Sequence, residues 1–155
     1  MSNRGLLCIS LALMALGTTT SCADGSGNYE GGPIAIVVAP GSTASLMLYL
    51  SNQSHADETV FVEVMLDGDS VINRKFAFGD GHNYVPFLVT LSPGSHTLEA
   101  TSSTEVMYSV KFQVLAGQQS HALLSYWYYP KKQGDRSYDP RKFEFKIQDE
   151  PLAFS

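Results

Sequence analysis

The chain has 155 residues, of which 44% are hydrophobic and 16% charged, a composition that is typical of a folded protein and excludes a disordered one. Its formal net charge of -5 lacks the basic excess with which nucleic-acid-binding domains neutralise phosphates, so no nucleic-acid partner is expected. The length predicts a single folded domain.

The first 21 residues have the three parts of a signal peptide. Arg4 supplies a positive charge, residues 5–17 form an apolar run, and the small polar residues 18–21 follow. The run is shorter than the ~20 apolar residues that a transmembrane helix needs. We therefore expect a leader over residues 1–21 and no membrane-spanning helix elsewhere.

Residues 19–22 read Thr-Thr-Ser-Cys, and this ending resembles the lipobox of bacterial lipoproteins. In that family the cysteine is acylated and becomes the first residue after cleavage. Ser21 and Cys22 match the pattern, whereas Thr19 stands where an aliphatic residue is usual. The resemblance implies lipidation of Cys22, and Ala23 in the next position favours the outer membrane. The alternative is an ordinary signal peptide that is cut after Ala23.

The positions of the cysteines and glycines divide the chain after the leader into a tether and a folded domain. Cys8 lies in the leader, so Cys22 would be the single cysteine of the mature chain, without an intrachain disulfide. Residues 23–33 are rich in glycine and lack apolar periodicity, which predicts that residues 22–33 form the lipidated cysteine and a flexible tether. Residues 34–155 then form the folded domain.

Apolar residues recur with a period of two from Ile34 onward, the pattern of half-buried strands. No amphipathic helix is expected after residue 22. The spacing predicts an all-β fold, a single antiparallel β-sandwich of about seven to nine strands. Residues 59–114 loosely resemble immunoglobulin-like and transthyretin-like modules, a likeness of architecture alone. The predicted strands are residues 34–39, 44–50, 59–66, 71–76, 83–91, 96–101, 106–114, 120–129 and 143–148.

Two local signals refine this pattern. Asp67-Gly68 lies between two strand-like runs and predicts a two-residue hairpin turn, because glycine accepts a positive φ. Pro86 cannot donate a ladder hydrogen bond, so it predicts an edge strand or a bulge.

Four consecutive aromatic residues form the first candidate binding surface. Because side chains alternate along a strand, Tyr126 and Tyr128 share one face, and Trp127 and Tyr129 share the other. One pair belongs in the core. The other pair would form an exposed platform for a sugar ring, a peptide or a partner domain. The alternative is that a neighbouring loop covers it.

The segment after this strand is the second candidate surface. Its basic residues would face anionic lipid headgroups or an acidic polymer, and the alternative is an ordinary solvated loop. They are Lys131, Lys132, Arg136, Arg141 and Lys142.

The remaining polar residues do not form a recognisable catalytic or metal-binding motif. Asp-Gly pairs at 67–68 and 80–81 are explained by turns, and there is no calcium-binding loop. The four histidines lack zinc-ligand spacing and are interpreted as separate surface or turn residues: His55, His82, His96 and His121. There is no nucleophile elbow, paired-carboxylate motif or phosphate-binding glycine loop.

The sequence therefore favours a bacterial lipoprotein that acyl chains on Cys22 hold on a membrane, with a non-catalytic, cofactor-free β-sandwich in the periplasm or on the cell surface. Its expected partner is an envelope protein or a polysaccharide. One alternative is a secreted carbohydrate-binding module or small hydrolase that uses residues 126–129 as a substrate platform. Another is a subunit of an envelope assembly, recognisable by an unpaired strand edge or an apolar patch.

Overall fold

The computed structural model of the protein describes residues 32–78, 84–131 and 138–151, which form nine strands. Cys22, Lys132 and Arg136 lie outside the described residues. Within the described ranges no helix has the length and apolar character to cross a membrane. The strands are β1 (Ile34–Val37), β2 (Ala44–Asn52), β3 (Thr59–Leu66), β4 (Asp69–Ala77), β5 (Val85–Leu91), β6 (Gly94–Ser102), β7 (Met107–Val114), β8 (Gln119–Tyr129) and β9 (Asp139–Gln148).

The strands form two sheets that pack as a sandwich, which confirms the predicted all-β class. One sheet has five strands in the order β1-β5-β2-β8-β9, and the other has four in the order β4-β3-β6-β7. Five of the described strand pairings are antiparallel, whereas β1 with β5 and β2 with β8 are parallel. The larger sheet is therefore mixed. The alternation of apolar and polar residues cannot reveal this, because side chains alternate in the same way in parallel and antiparallel strands.

The core lies between the sheets and follows the alternation of the strands. β2 buries every second residue from Ala44 to Leu50, and β3 does the same from Val60 to Leu66. Each fully buried leucine or valine contributes about 1.5–3 kcal/mol relative to an exposed position. Tyr126 is the largest of the fully buried side chains among the described residues.

The predicted hairpin turn at Asp67-Gly68 is confirmed. Leu66 is paired with Asp69, and the two residues between them have φ values of 53° and 93°. Both values are positive, as a two-residue turn between twisted antiparallel strands requires.

The edge position predicted from Pro86 is wrong for the strand as a whole, because β5 lies between β1 and β2. The short β1 explains how the proline is accommodated. Its first residue, Ile34, is opposite Phe87, so the β1 ladder does not extend to Pro86. On the other side, Pro86 is opposite Tyr49 of β2.

The expectation that all histidines are surface or turn residues is wrong for His96 and His121, whose exposed fractions are 6% and 9%. His96 Nδ1 lies 2.6 Å from Asp67 Oδ2, and its Nε2 lies 2.7 Å from the carbonyl oxygen of Ser92. Through these two contacts, His96 joins the β3–β4 turn to the β5–β6 connection.

Asp67 is held as a carboxylate by the same contacts. Its Oδ1 accepts a 2.8 Å hydrogen bond from the backbone N–H of Thr97. This bond, followed by the bond from His96, lowers the pKa of Asp67 below its ordinary value. A lowered carboxyl pKa contributes stability that is present above the unfolded pKa, about 3.9, and is lost as the pH falls through the folded value.

We predict that Asp67→Asn is less stable than the wild-type protein at neutral pH. The difference between their urea unfolding midpoints should be constant above the unfolded pKa of about 3.9 and should shrink as the pH falls below it, because the wild-type carboxylate is then progressively protonated. Asp69→Asn, in the exposed position beside the turn, is the matched control and should track the wild-type protein. A constant difference at all pH values would contradict this role of Asp67.

Candidate functional site

The outer face of the five-stranded sheet, the face turned away from the core, is unusually apolar. In an ordinary two-sheet sandwich this face meets water and carries polar side chains. Here apolar residues follow one another across β5, β2 and β8 in register, and the row of Pro86, Tyr49 and Leu123 is one example. The large apolar residues of this face on β2, β5 and β8 are partly buried: Met47, Tyr49, Leu88, Leu123, Trp127 and Tyr129.

The aromatic strand divides between the two faces as its alternation predicts. Tyr126 points into the core and has no exposed surface. Trp127 and Tyr129 lie on the outer face, where both are partly buried. Tyr128 lies beneath the guanidinium of Arg141, at 4.0 Å from its ring centre. The outer pair is therefore neither a fully exposed platform nor a fully covered core element.

Polar residues from the end of β2 adjoin Trp127. The backbone N–H of Gln53 donates to the carbonyl of Tyr126 at 2.8 Å, which places Gln53 beside Trp127 in the parallel ladder. One step back, the hydroxyls of Ser51 and Ser125 are 3.1 Å apart. These polar side chains at the end of β2 extend the aromatic surface and give it hydrogen-bonding groups.

The ring of His55 closes the same end of the outer face. Its centre lies 5.4 Å from that of Tyr129 in an edge-on arrangement and 5.3 Å from that of Phe78. Such tilted pairs stabilise aromatic clusters beyond the area that they bury.

A cleft of 480 Å³ lies beside Trp127. Its lining combines aromatic walls with one carboxylate and one ammonium group, a mixture that suits a ligand with both apolar and polar surfaces. The lining residues are Tyr84, Tyr108, Leu123, Ser125, Trp127, Phe143, Glu144, Phe145 and Lys146.

Three buried side-chain nitrogens on the outer face have no hydrogen-bond partner among the described residues. They are Nε2 of Gln53, Nδ1 of His121 and Nε1 of Trp127. A buried donor without an acceptor costs about 1–3 kcal/mol, so native proteins satisfy nearly all of them. An acceptor from water or from a partner would remove this cost after a small movement of the neighbouring side chains.

The predicted basic surface is less available than the sequence indicates. Arg141 makes two hydrogen bonds to the carboxylate of Asp57, at 2.9 and 3.0 Å. Lys142 lies 3.1 Å from Asp139 and 2.7 Å from Glu144. Of the five basic residues, Lys131 is exposed, and Lys132 and Arg136 lie outside the described residues.

Asp57 is the centre of a polar network that crosses the sandwich. The hydroxyl of Tyr126 donates to its Oδ2 at 2.7 Å and lies 2.8 Å from the Thr104 hydroxyl, which in turn is 2.8 Å from that of Ser102. The Arg141 guanidinium is the main cause of the lowered pKa of Asp57. Because every member has a partner, the network is suited to joining β8 to the end of β6.

The described residues do not assemble a recognisable reaction centre. Among them, no three His, Cys, Asp or Glu side chains are grouped so that they could hold a metal ion. Within the same ranges, no hydrogen bond joins a serine or threonine hydroxyl to a histidine ring. The carboxylate of Asp57 is bound to the guanidinium of Arg141, and that of Asp67 is bound to the ring of His96.

The comparisons with known proteins do not assign the chain. No protein-family model matches its sequence, and no curated protein is significantly similar to it.

Sequence reasoning identified Trp127 and Tyr129 but missed their neighbours on β2. A signal was present, because Met47 and Tyr49 make both faces of β2 apolar, just as both faces of β8 are apolar. The pair of Asp57 and Arg141 left no such signal, since 84 positions separate the two residues.

We predict that Tyr126→Phe lowers the free energy of unfolding by about 1–3 kcal/mol, because it leaves the buried side of Asp57 without its hydroxyl donor. Urea denaturation at neutral pH measures this difference. Tyr138→Phe, on an exposed tyrosine, is the control and should have little effect. Equal stability of the two variants would show that the network does not contribute to holding the sheets.

Proposed function

We propose that the protein is a bacterial membrane-anchored lipoprotein whose β-sandwich binds a partner in the periplasm or on the cell surface and has no catalytic role. The anchor is Cys22, on the lipobox-like ending of the leader. The binding surface is the aromatic end of the outer face of the five-stranded sheet. Trp127 and Tyr129 supply the aromatic contacts, and the neighbouring Gln53 supplies a donor.

The observation that carries the binding role is the apolar character of the five-stranded sheet on both sides. The inner side is accounted for by the core between the sheets. On the outer side, tyrosine and tryptophan present apolar rings with polar tips, the residue types that are enriched in protein interfaces. A partner seated there would remove this apolar surface from water.

The described charged groups support binding rather than hydrolysis. A general base must be available to take a proton from water or from a nucleophile. The carboxylate of Asp57 is instead paired with the guanidinium of Arg141, and that of Asp67 is engaged by the ring of His96 and the backbone N–H of Thr97. Their contacts stabilise the sandwich.

The position of β1 is compatible with an N-terminal anchor. β1 begins at Ile34, on the border of the five-stranded sheet. A flexible glycine-rich chain over residues 23–33 would have an end-to-end distance of roughly 18 Å. Such a tether holds the domain close to the membrane and lets it reorient. Two or three acyl chains are needed for stable anchoring, since one chain alone binds marginally.

We predict that Cys22→Ala abolishes incorporation of labelled palmitate and moves the protein from the membrane fraction to the soluble fraction. Cys8→Ala is the matched control, because it removes a thiol from the leader and should leave labelling intact. Membrane association of the wild-type protein without any label would contradict lipidation at Cys22.

A carbohydrate partner is the second candidate, and the cleft beside Trp127 is the observation that favours it. Sugar rings stack their apolar C–H faces on aromatic side chains and bind their hydroxyls to polar groups. The cleft offers Trp127 and Tyr84 for the first contact, and Glu144 and Lys146 for the second.

We predict that a photo-cross-linking residue in place of Tyr129 forms adducts in intact cells, and that the same residue in place of Phe61 does not. Phe61 is a good control because it is 40% exposed and lies on the opposite sheet. Protein adducts would favour an envelope protein as the partner, and glycan adducts would favour the carbohydrate candidate. Equal cross-linking at the two positions would contradict binding at the aromatic end.

A further inference from the structure

One border of the four-stranded sheet presents backbone groups that no described residue pairs with. β7 is the last strand in the order β4-β3-β6-β7, and it pairs with β6 from Met107 to Val114 without a register shift. It therefore offers an unbroken edge of eight residues.

One hydrogen bond defines which backbone groups of β7 face outward. The N–H of Ser102 donates to the carbonyl of Val106 at 2.9 Å, so the backbone groups of Val106 point towards β6. In an antiparallel pair, the residues of a strand alternate between pointing towards the partner strand and pointing away from it. The N–H and C=O groups that point away from β6 therefore belong to Met107, Ser109, Lys111 and Gln113.

These groups form an open ladder. No described backbone or side-chain group pairs with this side of β7, and the side chains of the four residues are exposed. Within β7 there is no proline and no register shift, and Lys111 is its single charged residue. By contrast, β9 contains Pro140 and a register shift, and the pairing of β4 with β3 also shifts register.

Two hollows adjoin β7. The 480 Å³ cleft reaches Tyr108 on the core side of β7 and Phe145 of β9. A second hollow of 440 Å³ lies over β6 on the outer face of the sheet, where Met65, Met107 and Ser109 contribute to its lining. Tyr108 lines both spaces. A strand added to β7 would thus find room in the cleft for the side chains on its core side.

We propose that β7 accepts an extended segment of a partner protein as a fifth strand of this sheet. The proposal rests on the binding role proposed above and adds to it the class of partner. Backbone hydrogen bonds to the open ladder hold the segment, whatever its sequence. Apolar side chains at alternate positions enter the cleft beside Tyr108 and Phe145, and polar side chains face Lys111 and Gln113.

The test follows backbone amide exchange by NMR on the purified full-length protein in detergent. The probe is a synthetic ten-residue peptide of alternating valine and threonine with one central glutamate. Without the peptide, the amides of Ser109 and Lys111 should exchange faster than those of Tyr108 and Val110, which point towards β6. With the peptide at saturation, exchange at Ser109 and Lys111 should slow by about tenfold or more, as expected for amides that enter a strand ladder.

Ser109→Pro removes one outward N–H and leaves the β6 ladder intact, so it should weaken peptide binding. Ser109→Ala keeps that N–H and should bind as the wild-type protein does. If the proline variant does not fold, amide exchange in the wild-type and alanine proteins still decides the question.

Three results would overturn the proposal. The first is slow exchange of the Ser109 and Lys111 amides in the free protein, and the second is exchange that the peptide does not change. The third is protection that rises with protein concentration in the absence of peptide, which would identify a second copy of this chain as the occupant. Cross-linking through Tyr129 would be unaffected by any of these results, so it tests the proposed aromatic binding surface separately.

Discussion

The parallel pairing of β2 with β8 is the constraint on which the rest of the structure depends. It joins residues 44–52 to residues 119–129, and each strand buries alternate side chains in the core. The same register places Gln53 beside Trp127 and Ser51 beside Ser125 on the outer face. A shift by one residue would exchange the two faces and put Trp127 into the core in place of Tyr126. The core and the candidate surface are therefore specified together.

β6 is held at both ends by carboxylates from other parts of the chain. Near its start, Asp67 binds the N–H of Thr97 and the ring of His96. Beyond its last residue, the hydroxyl of Thr104 contacts Tyr126, which in turn binds Asp57. Both carboxyl groups have lowered pKa values, so both contributions diminish as the pH falls. The sheet that carries the open β7 edge is thus supported at two acid-sensitive points.

Local patterns were enough to predict the strands, the turn and the faces of the aromatic residues. Leu46 and Leu48 are buried and alternate with partly buried neighbours, and Asp67-Gly68 has a turn signal that depends on two residues only. Features that depend on contacts between distant residues were missed or predicted wrongly. The direction of β1 and β8 relative to their neighbours depends on long connections, and the accommodation of Pro86 in an inner strand depends on β1 being short.

The candidate site likewise contains residues that local sequence predicts and residues that it does not. Trp127 and Tyr129 could be selected from their position in a strand with two apolar faces. The partner of Asp57 could not, because Arg141 comes from a strand 84 positions later. The burial of His96 was also not evident, since it requires Asp67 and Ser92 to meet across a turn.

The short β1 has a mechanical consequence for a protein held at its N-terminus. If the chain is anchored through Cys22 and a partner pulls on the domain, tension first reaches the four residues of β1. These are held in the sheet by one parallel ladder to β5, the smallest set of strand contacts in the five-stranded sheet. Detachment of β1 would extend the link to the membrane by roughly 13 Å, at about 3.3 Å per residue. Detachment would also expose the edge of β5, while the pairing of β2 with β8 stays intact. β1 would then be the strand that separates first when force acts between the anchor and the folded domain.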